Sequence, residues 1–271
     1  MKFLSIRNIS LLFLGGFVLL STSCQKVIDV SIEDQEQVIV FEGVLKNRDS
    51  ASYFKVSKTV GIYEEPTNEK VSGASITVTD ENMVSWVFTE DPQETGTYVN
   101  HNFNAVEDMT YSLTAEVEGN IITATSFSKK LPILDSIYNR PNPLDLEEPL
   151  SHWVFYHSTD RVEEVNYYRL RIWLNGKEPS QYYIGNDYYI NGETYEAQFF
   201  TADAYVGDTV VVEMLEMDPD VYAYLYGLQN TLTTGPFSPS PANPPSNLNC
   251  EVEVQGYFGV YMTQVDTLIV E

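Results

Sequence analysis

The sequence predicts an all-β protein: two β-sandwich domains in tandem, with one short helix in the second. Three observations carry that prediction. Aromatic residues make up 13% of the chain, 19 of them tyrosines, and such side chains favour the pleated, half-buried surface of a sheet. Short stretches alternating between apolar and polar residues recur from Val38 to Val270, divided by Gly, Asn, Asp and Pro turns. Long helical stretches rich in Ala, Leu and Glu are almost absent.

Residues 1–23 read as a secretory leader. Lys2 and Arg7 make it basic, and the run from Ile9 to Leu20 is apolar apart from Ser10. That is the length of a signal-peptide core and short of the ~20 residues a membrane span needs. Leu19-Leu20-Ser21-Thr22-Ser23-Cys24 closes it with small residues and one cysteine, the pattern at which bacterial lipoproteins are cleaved and acylated. Ser23 departs from the usual Gly or Ala, which bears on the efficiency of cleavage more than on its site. Cys24 is the expected lipidation site. A single acyl chain holds a bilayer only marginally, so a stable anchor there requires at least two. The alternative is an ordinary signal peptide with an incidental cysteine.

Removing the two basic residues of the leader leaves 13 Lys and Arg against 39 Asp and Glu, a net charge of −26. Phosphate recognition needs clustered cations, so this balance argues against nucleic acid as a partner. With Cys24 acylated, Cys250 has no partner for an internal disulfide.

Residues 24–37 read as a polar tether, and residues 38–130 as the first sandwich. Val38 to Gly43 is a buried strand and Tyr53 to Val60 an alternating one. In Val71 to Asp80, Ala74, Ile76 and Val78 face one way and Ser75, Thr77 and Thr79 the other, the period of two of a half-buried strand. Ser85 to Thr89 answers it, followed by Gly96 to Val99, then Met109 to Val117 and Asn120 to Phe127 joined at Glu118-Gly119. Residues 131–150 hold Pro132, Pro141, Pro143 and Pro149 and are expected to be a linker, with Leu134 to Ile137 pairing at an edge.

Residues 151–271 restart the pattern. Trp153 to His157, Asn166 to Leu174 and Asp208 to Leu215 read as strands, and Tyr182-Tyr183-Ile184 with Tyr188-Tyr189-Ile190 as a hairpin about Gly185-Asn186-Asp187. Asp218-Pro219-Asp220 caps a helix near 219–232, with Val221, Tyr224, Leu225, Leu228 and Leu232 on one face. The Pro-rich stretch 235–249 is either a packing strap or an exposed recognition arm. Cys250 to Val260 and Asp266 to Val270 read as closing strands.

No catalytic signature is present: no H-E-x-x-H, G-x-S-x-G, Walker loop or dinucleotide fingerprint. His152 and His157, five apart on a strand, point to opposite faces and do not share a metal. The expectation is a protein without enzymatic activity, metal or cofactor. The surface candidates for binding are Tyr182, Tyr183, Tyr188, Tyr189 and Tyr195, because tyrosine offers a large contact area with a polar tip. Their alternative is to fill the core, one ring of each adjacent pair on either face of a strand.

Val71-Ser72-Gly73-Ala74, Gly96-Thr97-Tyr98 and the strand from Met109 to Leu113 resemble the carboxypeptidase-regulatory-like, or transthyretin-like, sandwich. Across the whole chain, several features stand in a characteristic order: Val40-Phe41-Glu42-Gly43, the two motifs just named, Leu134-Asp135-Ser136-Ile137, Asn243-Pro244-Pro245-Ser246-Asn247 and Gly256-Tyr257-Phe258-Gly259. In that order the chain is similar to a lipoprotein family of Bacteroidota, the domain of unknown function 4249, whose members are often encoded beside TonB-dependent outer-membrane receptors. The resemblance implies a lipid-anchored outer-membrane protein facing the cell exterior, serving as a lid or docking subunit of such a barrel. A free-standing binder of glycan or peptide is the alternative, and a hydrolase a further one that requires two carboxylates converging in a cleft with one of them desolvated.

Overall fold

A computed structural model describes residues 37–48, 51–60, 68–146, 150–162, 164–178, 183–232 and 243–271. The leader, Cys24, most of the tether, Tyr182 and residues 233–242 of the Pro-rich stretch lie outside the described residues. Among the described residues the fold is all-β with one helix. Strands β1 (Ile39–Lys46), β2 (Tyr53–Lys58), β3 (Ser75–Asp80), β4 (Ser85–Glu90), β5 (Thr97–Val99), β6 (Met109–Val117) and β7 (Asn120–Ser128) form the first half. Strands β8 (Leu134–Pro141), β9 (His152–Thr159), β10 (Tyr167–Leu174), β11 (Tyr183–Asn186), β12 (Thr194–Ala204) and β13 (Thr209–Met217) follow, then helix α1 (Pro219–Leu232) and strand β14 (Val254–Ile269).

Eleven of the strands form one extended sheet in the order β11-β10-β13-β14-β1-β2-β5-β4-β3-β6-β7, and β12-β9-β8 make a second. The joint between the halves is β14. Its first eight residues pair parallel with β1, Ile39 with Val254 through Lys46 with Tyr261, and its last eight pair antiparallel with β13. The expected two closing strands are therefore one strand of 16 residues. Its polar interlude Thr263-Gln264 does not break it, because Asn47 takes over where β1 ends: its side-chain oxygen accepts the Thr263 N–H at 2.8 Å.

Three apolar clusters result, and β14 reaches each of them. Phe258, Val260 and Met262 join Phe41, Phe54, Phe88, Phe103 and Tyr111 in the first, Leu268 packs against the second, which holds Tyr156, Ile172, Phe199 and Val212, and Tyr257 and Tyr261 join Val44 and Leu215 in the third. Residues Glu36–Glu271 consequently form one compact unit. The stretch 131–150, expected as a linker, supplies β8, which pairs with β9 over most of its length. Pro132 precedes that strand and Pro141 ends it, so neither interrupts the ladder. Strand β12 has no counterpart in the sequence reading.

The order of short motifs has a physical basis in pairs. The Tyr98 hydroxyl donates to the Val71 carbonyl at 3.0 Å and accepts the Ala74 N–H at 2.9 Å, so the first two motifs close on each other. The Asn247 side chain acts as a false peptide against β14, donating to the Phe258 carbonyl at 2.7 Å and accepting its N–H at 3.0 Å. Asn249 pairs with Thr123 of β7 through both backbone groups, and Pro244 rests against Gly227 of α1. Residues 243–249 are thus the packing strap.

Helix α1 starts where the sequence places it. Asp218 accepts the Val221 N–H at 2.9 Å, the geometry of an N-cap. Val221, Tyr224 and Leu225 are buried against Val44, Leu215, Tyr257 and Tyr261. The second Asp218 oxygen accepts the Phe127 N–H at 3.1 Å and the Ser126 hydroxyl, and Ser126 in turn accepts the Val260 N–H at 3.0 Å. One carboxylate therefore ties helix, β7 and β14 together. Asp218→Ala is expected to cost about 2–3 kcal/mol, the loss of a cap plus orphaned buried donors. Chemical denaturation with tryptophan fluorescence measures it, and a cost no larger than an ordinary cap would show that the links to Ser126 and Phe127 add nothing.

Candidate functional site

Of the five tyrosines singled out in the sequence, Tyr182 lies outside the described residues, and the other four do not form one surface. Tyr183 packs edge-on against Phe199, their rings 5.4 Å apart, and Tyr195 lies edge-on to the buried Tyr156 at 5.9 Å. Both belong to the second core. Tyr188 and Tyr189 are 68% and 91% exposed, with rings 5.0 Å apart and nearly perpendicular. They do not lie on a strand, which corrects the expected hairpin: β11 ends at Asn186 and residues 188–192 form turns. The reason is local. The Asn186 side-chain oxygen accepts the Tyr188 N–H at 3.1 Å, and the Asp187 carbonyl accepts the Ile190 N–H at 2.7 Å, so the backbone curls before it could pair again.

These two rings border a shallow recess of about 230 Å³, lined by Val165, Tyr167, Asn186, Tyr188 and Tyr189. Tyr167 and two tyrosines of α1 that sequence reasoning did not select extend the aromatic surface. Tyr167 packs on Tyr222 at 4.6 Å, and Tyr222 stacks on Tyr226 at 5.6 Å. The Asn186 amide donates to the Tyr222 hydroxyl at 3.1 Å, joining strand and helix across the corner. Tyr226 is 47% exposed. The helical spacing of Tyr222 and Tyr226, four apart, was the available signal: such residues stack one above the other on one helix face.

Beneath the corner is a set of buried acids. Asp160 accepts the Tyr168 hydroxyl and the Gly192 N–H, both at 2.8 Å. Asp187 accepts the Asn166 N–H at 3.0 Å, and the Asn166 amide donates to Glu216 at 2.6 Å. Arg161 holds both Glu216 oxygens and donates to the Leu131 carbonyl at 2.6 Å. Asp187 and Glu216 have no exposed surface. Three desolvated carboxylates thus converge, yet none lines the recess. Their bonds go to Tyr168 of β10, to Arg161 and Asn166 in the segment before it and to Gly192 of the 188–192 turn, which they hold in place. Among the described residues no group of three His, Cys, Asp or Glu side chains is arranged to hold a metal ion. His152 meets Asn139 and His157 meets Glu196, on separate partners.

Burial pushes the Asp187 carboxyl up, and the neighbouring Asp160 adds to the shift. One Asp187 oxygen receives no N–H or O–H from the described residues. Burial also drives Glu216 up to about 7, against the pull of Arg161 and Asn166. A carboxyl whose folded pKa lies above its unfolded value of ~4.3 holds its proton more tightly when folded. Its contribution is complete below that value and is lost as pH rises through 7, amounting to about 3 kcal/mol for Glu216. The melting temperature is therefore expected to fall between about pH 5 and pH 8, and Glu216→Gln to flatten the slope. Equal slopes in the two proteins would place the titration elsewhere.

A model of the family described as Domain of unknown function (DUF4249) matches residues 25–266, and the chain belongs to that family. Comparison with curated proteins gave no match.

Proposed function

We propose, on the premise of that membership, that the chain is a lipid-anchored, non-catalytic accessory subunit of an outer-membrane barrel complex of the TonB-dependent receptor kind. Cys24 carries the anchor. The family match begins at residue 25, the position after that cysteine, which supports maturation there. The body meets its partner through the tyrosine corner. The observation that carries this reading is the exposure of Tyr188, Tyr189 and Tyr226 on turn and helix positions fixed from beneath. Rigid aromatic rings with polar tips are the residues enriched at recognition surfaces.

Two measurements test it. Cells fed labelled palmitate should yield labelled protein from the outer membrane, and Cys24→Ser should abolish the label. Mild detergent extraction should then bring down a TonB-dependent barrel with the protein, and Tyr188→Ala with Tyr189→Ala should release it. An unlabelled polypeptide free in the periplasm would overturn the anchor, and a lipoprotein that purifies alone would overturn the docking role. The recess beside the rings favours a second reading, a free-standing binder of a small ligand; it predicts ligand binding by the purified protein with no barrel attached.

A further inference from the structure

The recess is small. Its volume of about 230 Å³ falls below the ~300–1,000 Å³ of pockets that enclose a drug-sized molecule, so it admits one compact group. What that group is follows from what lines the recess. Tyr188 and Tyr189 stand almost at right angles, their planes 84° apart, and Tyr167 adds a third ring. Such a corner offers aromatic surface to whatever enters, and aromatic rings attract cations.

Hydrogen-bonding capacity is limited. Both polar ends of Asn186 are already engaged, the oxygen with the Tyr188 N–H and the amide with the Tyr222 hydroxyl. The other polar side-chain groups of the lining are the hydroxyls of Tyr167, Tyr188 and Tyr189, fewer than a sugar ring with hydroxyls on every side would engage. Charge points the same way. No lining residue carries a positive charge. The residue between Asn186 and Tyr188 is the buried acid Asp187, and the residue between Val165 and Tyr167 is Asn166, whose side-chain oxygen receives no donor among the described residues. Arg161, the cation of this region, is committed to Glu216. Arg169, two places along β10 from Tyr167, acts on Glu178 and Tyr53. The whole chain carries a net charge of −24.

We infer that the tyrosine corner binds a small-molecule alkylammonium group, held against the rings of Tyr167, Tyr188 and Tyr189. A cation over aromatic faces gains most when the ammonium is methylated and weakly hydrated, the arrangement by which quaternary ammonium ligands are recognised. Asp187 acts here as a positioning residue for the turn, without touching the ligand. The inference rests on reading the tyrosine corner as a recognition surface, and it can fail while the docking role stands.

Choline is the probe, with 3,3-dimethyl-1-butanol as its uncharged counterpart of the same shape and methyl glucoside as the neutral sugar. Each is titrated into the purified mature chain and followed by tyrosine fluorescence and calorimetry. Choline is expected to bind in the millimolar range and at least about tenfold more tightly than its uncharged counterpart. Tyr189→Ala alters a side chain that is almost wholly exposed and leaves the fold intact by circular dichroism. It should weaken choline at least about fivefold. Equal binding of choline and the uncharged alcohol, tighter binding of the glucoside, or no saturable response to choline would each overturn the inference. Loss of barrel co-purification in the Tyr188→Ala, Tyr189→Ala protein, together with no choline binding by the parent chain, would leave the docking role standing and remove the ligand.

Discussion

Gly256→Ala is expected to leave no folded protein to purify. Gly256 lies opposite Phe41 in the parallel ladder between β1 and β14, at φ +119°. A Cβ there would sit 1.9 Å from the Phe41 carbonyl oxygen and 2.7 Å from its carbon. Both are backbone atoms of a strand whose side chains Phe41 and Leu45 are fully buried, so neither side can give way without unpacking the first core. Strain at a positive φ adds to the clash. The combined cost exceeds ~4 kcal/mol, the range in which single substitutions remove much of a domain's stability. The measurement is soluble yield and the denaturant midpoint. A melting temperature within a few degrees of the parent would show that β1 and β14 are not paired in this register.

Glu213→Ala is expected to cost about 3–5 kcal/mol, and more than Lys46→Ala. The Lys46 ammonium reaches both Glu213 oxygens, at 2.7 and 2.8 Å, and both residues are buried. Removing Lys46 leaves Glu213 with Arg171 at 3.5 Å and Arg48 at 3.8 Å. Removing Glu213 leaves a buried ammonium beside Arg171 and Arg169, where burial already pushes its pKa down. The asymmetry is the test, since a simple loss of packing would rank the two alike. Replacing both, Lys46→Met with Glu213→Leu, should recover most of the loss, because an apolar pair avoids the desolvation of two charges.

Strand positions were legible wherever one face is buried and the other wet, as in β3, β6 and β10, because alternation is then visible in the residues themselves. The helix was legible from Asp218 onward for the same local reason. What the residues did not disclose is partnership. β14 looks like two strands since its apolar character lapses at Thr263-Gln264, where it changes from one set of neighbours to another. Leu134–Pro141 looks like a linker because prolines stand around it, although they fall where the ladder needs no N–H.

The candidate site was half legible. Tyr188 and Tyr189 were marked as surface residues, but Tyr183 and Tyr195 turned inward, and Tyr167, Tyr222 and Tyr226 come from elements that meet only in the fold. The acids below looked like ordinary surface charge in a very acidic chain. Glu213 and Glu216 were the exceptions that carried a signal: each interrupts the apolar run from Val210 to Met217. A charge inside such a strand has to find a partner within the protein.

The parallel ladder between the first and last strands governs how this chain can be made. Glu42 and Tyr257 are 215 residues apart in sequence, yet their side chains meet. A ribosome releases Ile39 to Lys46 long before Val254 exists, so one edge of β1 waits unpaired through most of synthesis. Closing a loop of that span is slow, and exposed strand edges invite association in the meantime. A chain lacking Val254–Glu271, its last 18 residues, would therefore leave β1 and β13 each with a bare edge, a fragment exposed to association and proteolysis rather than a smaller working version of the protein.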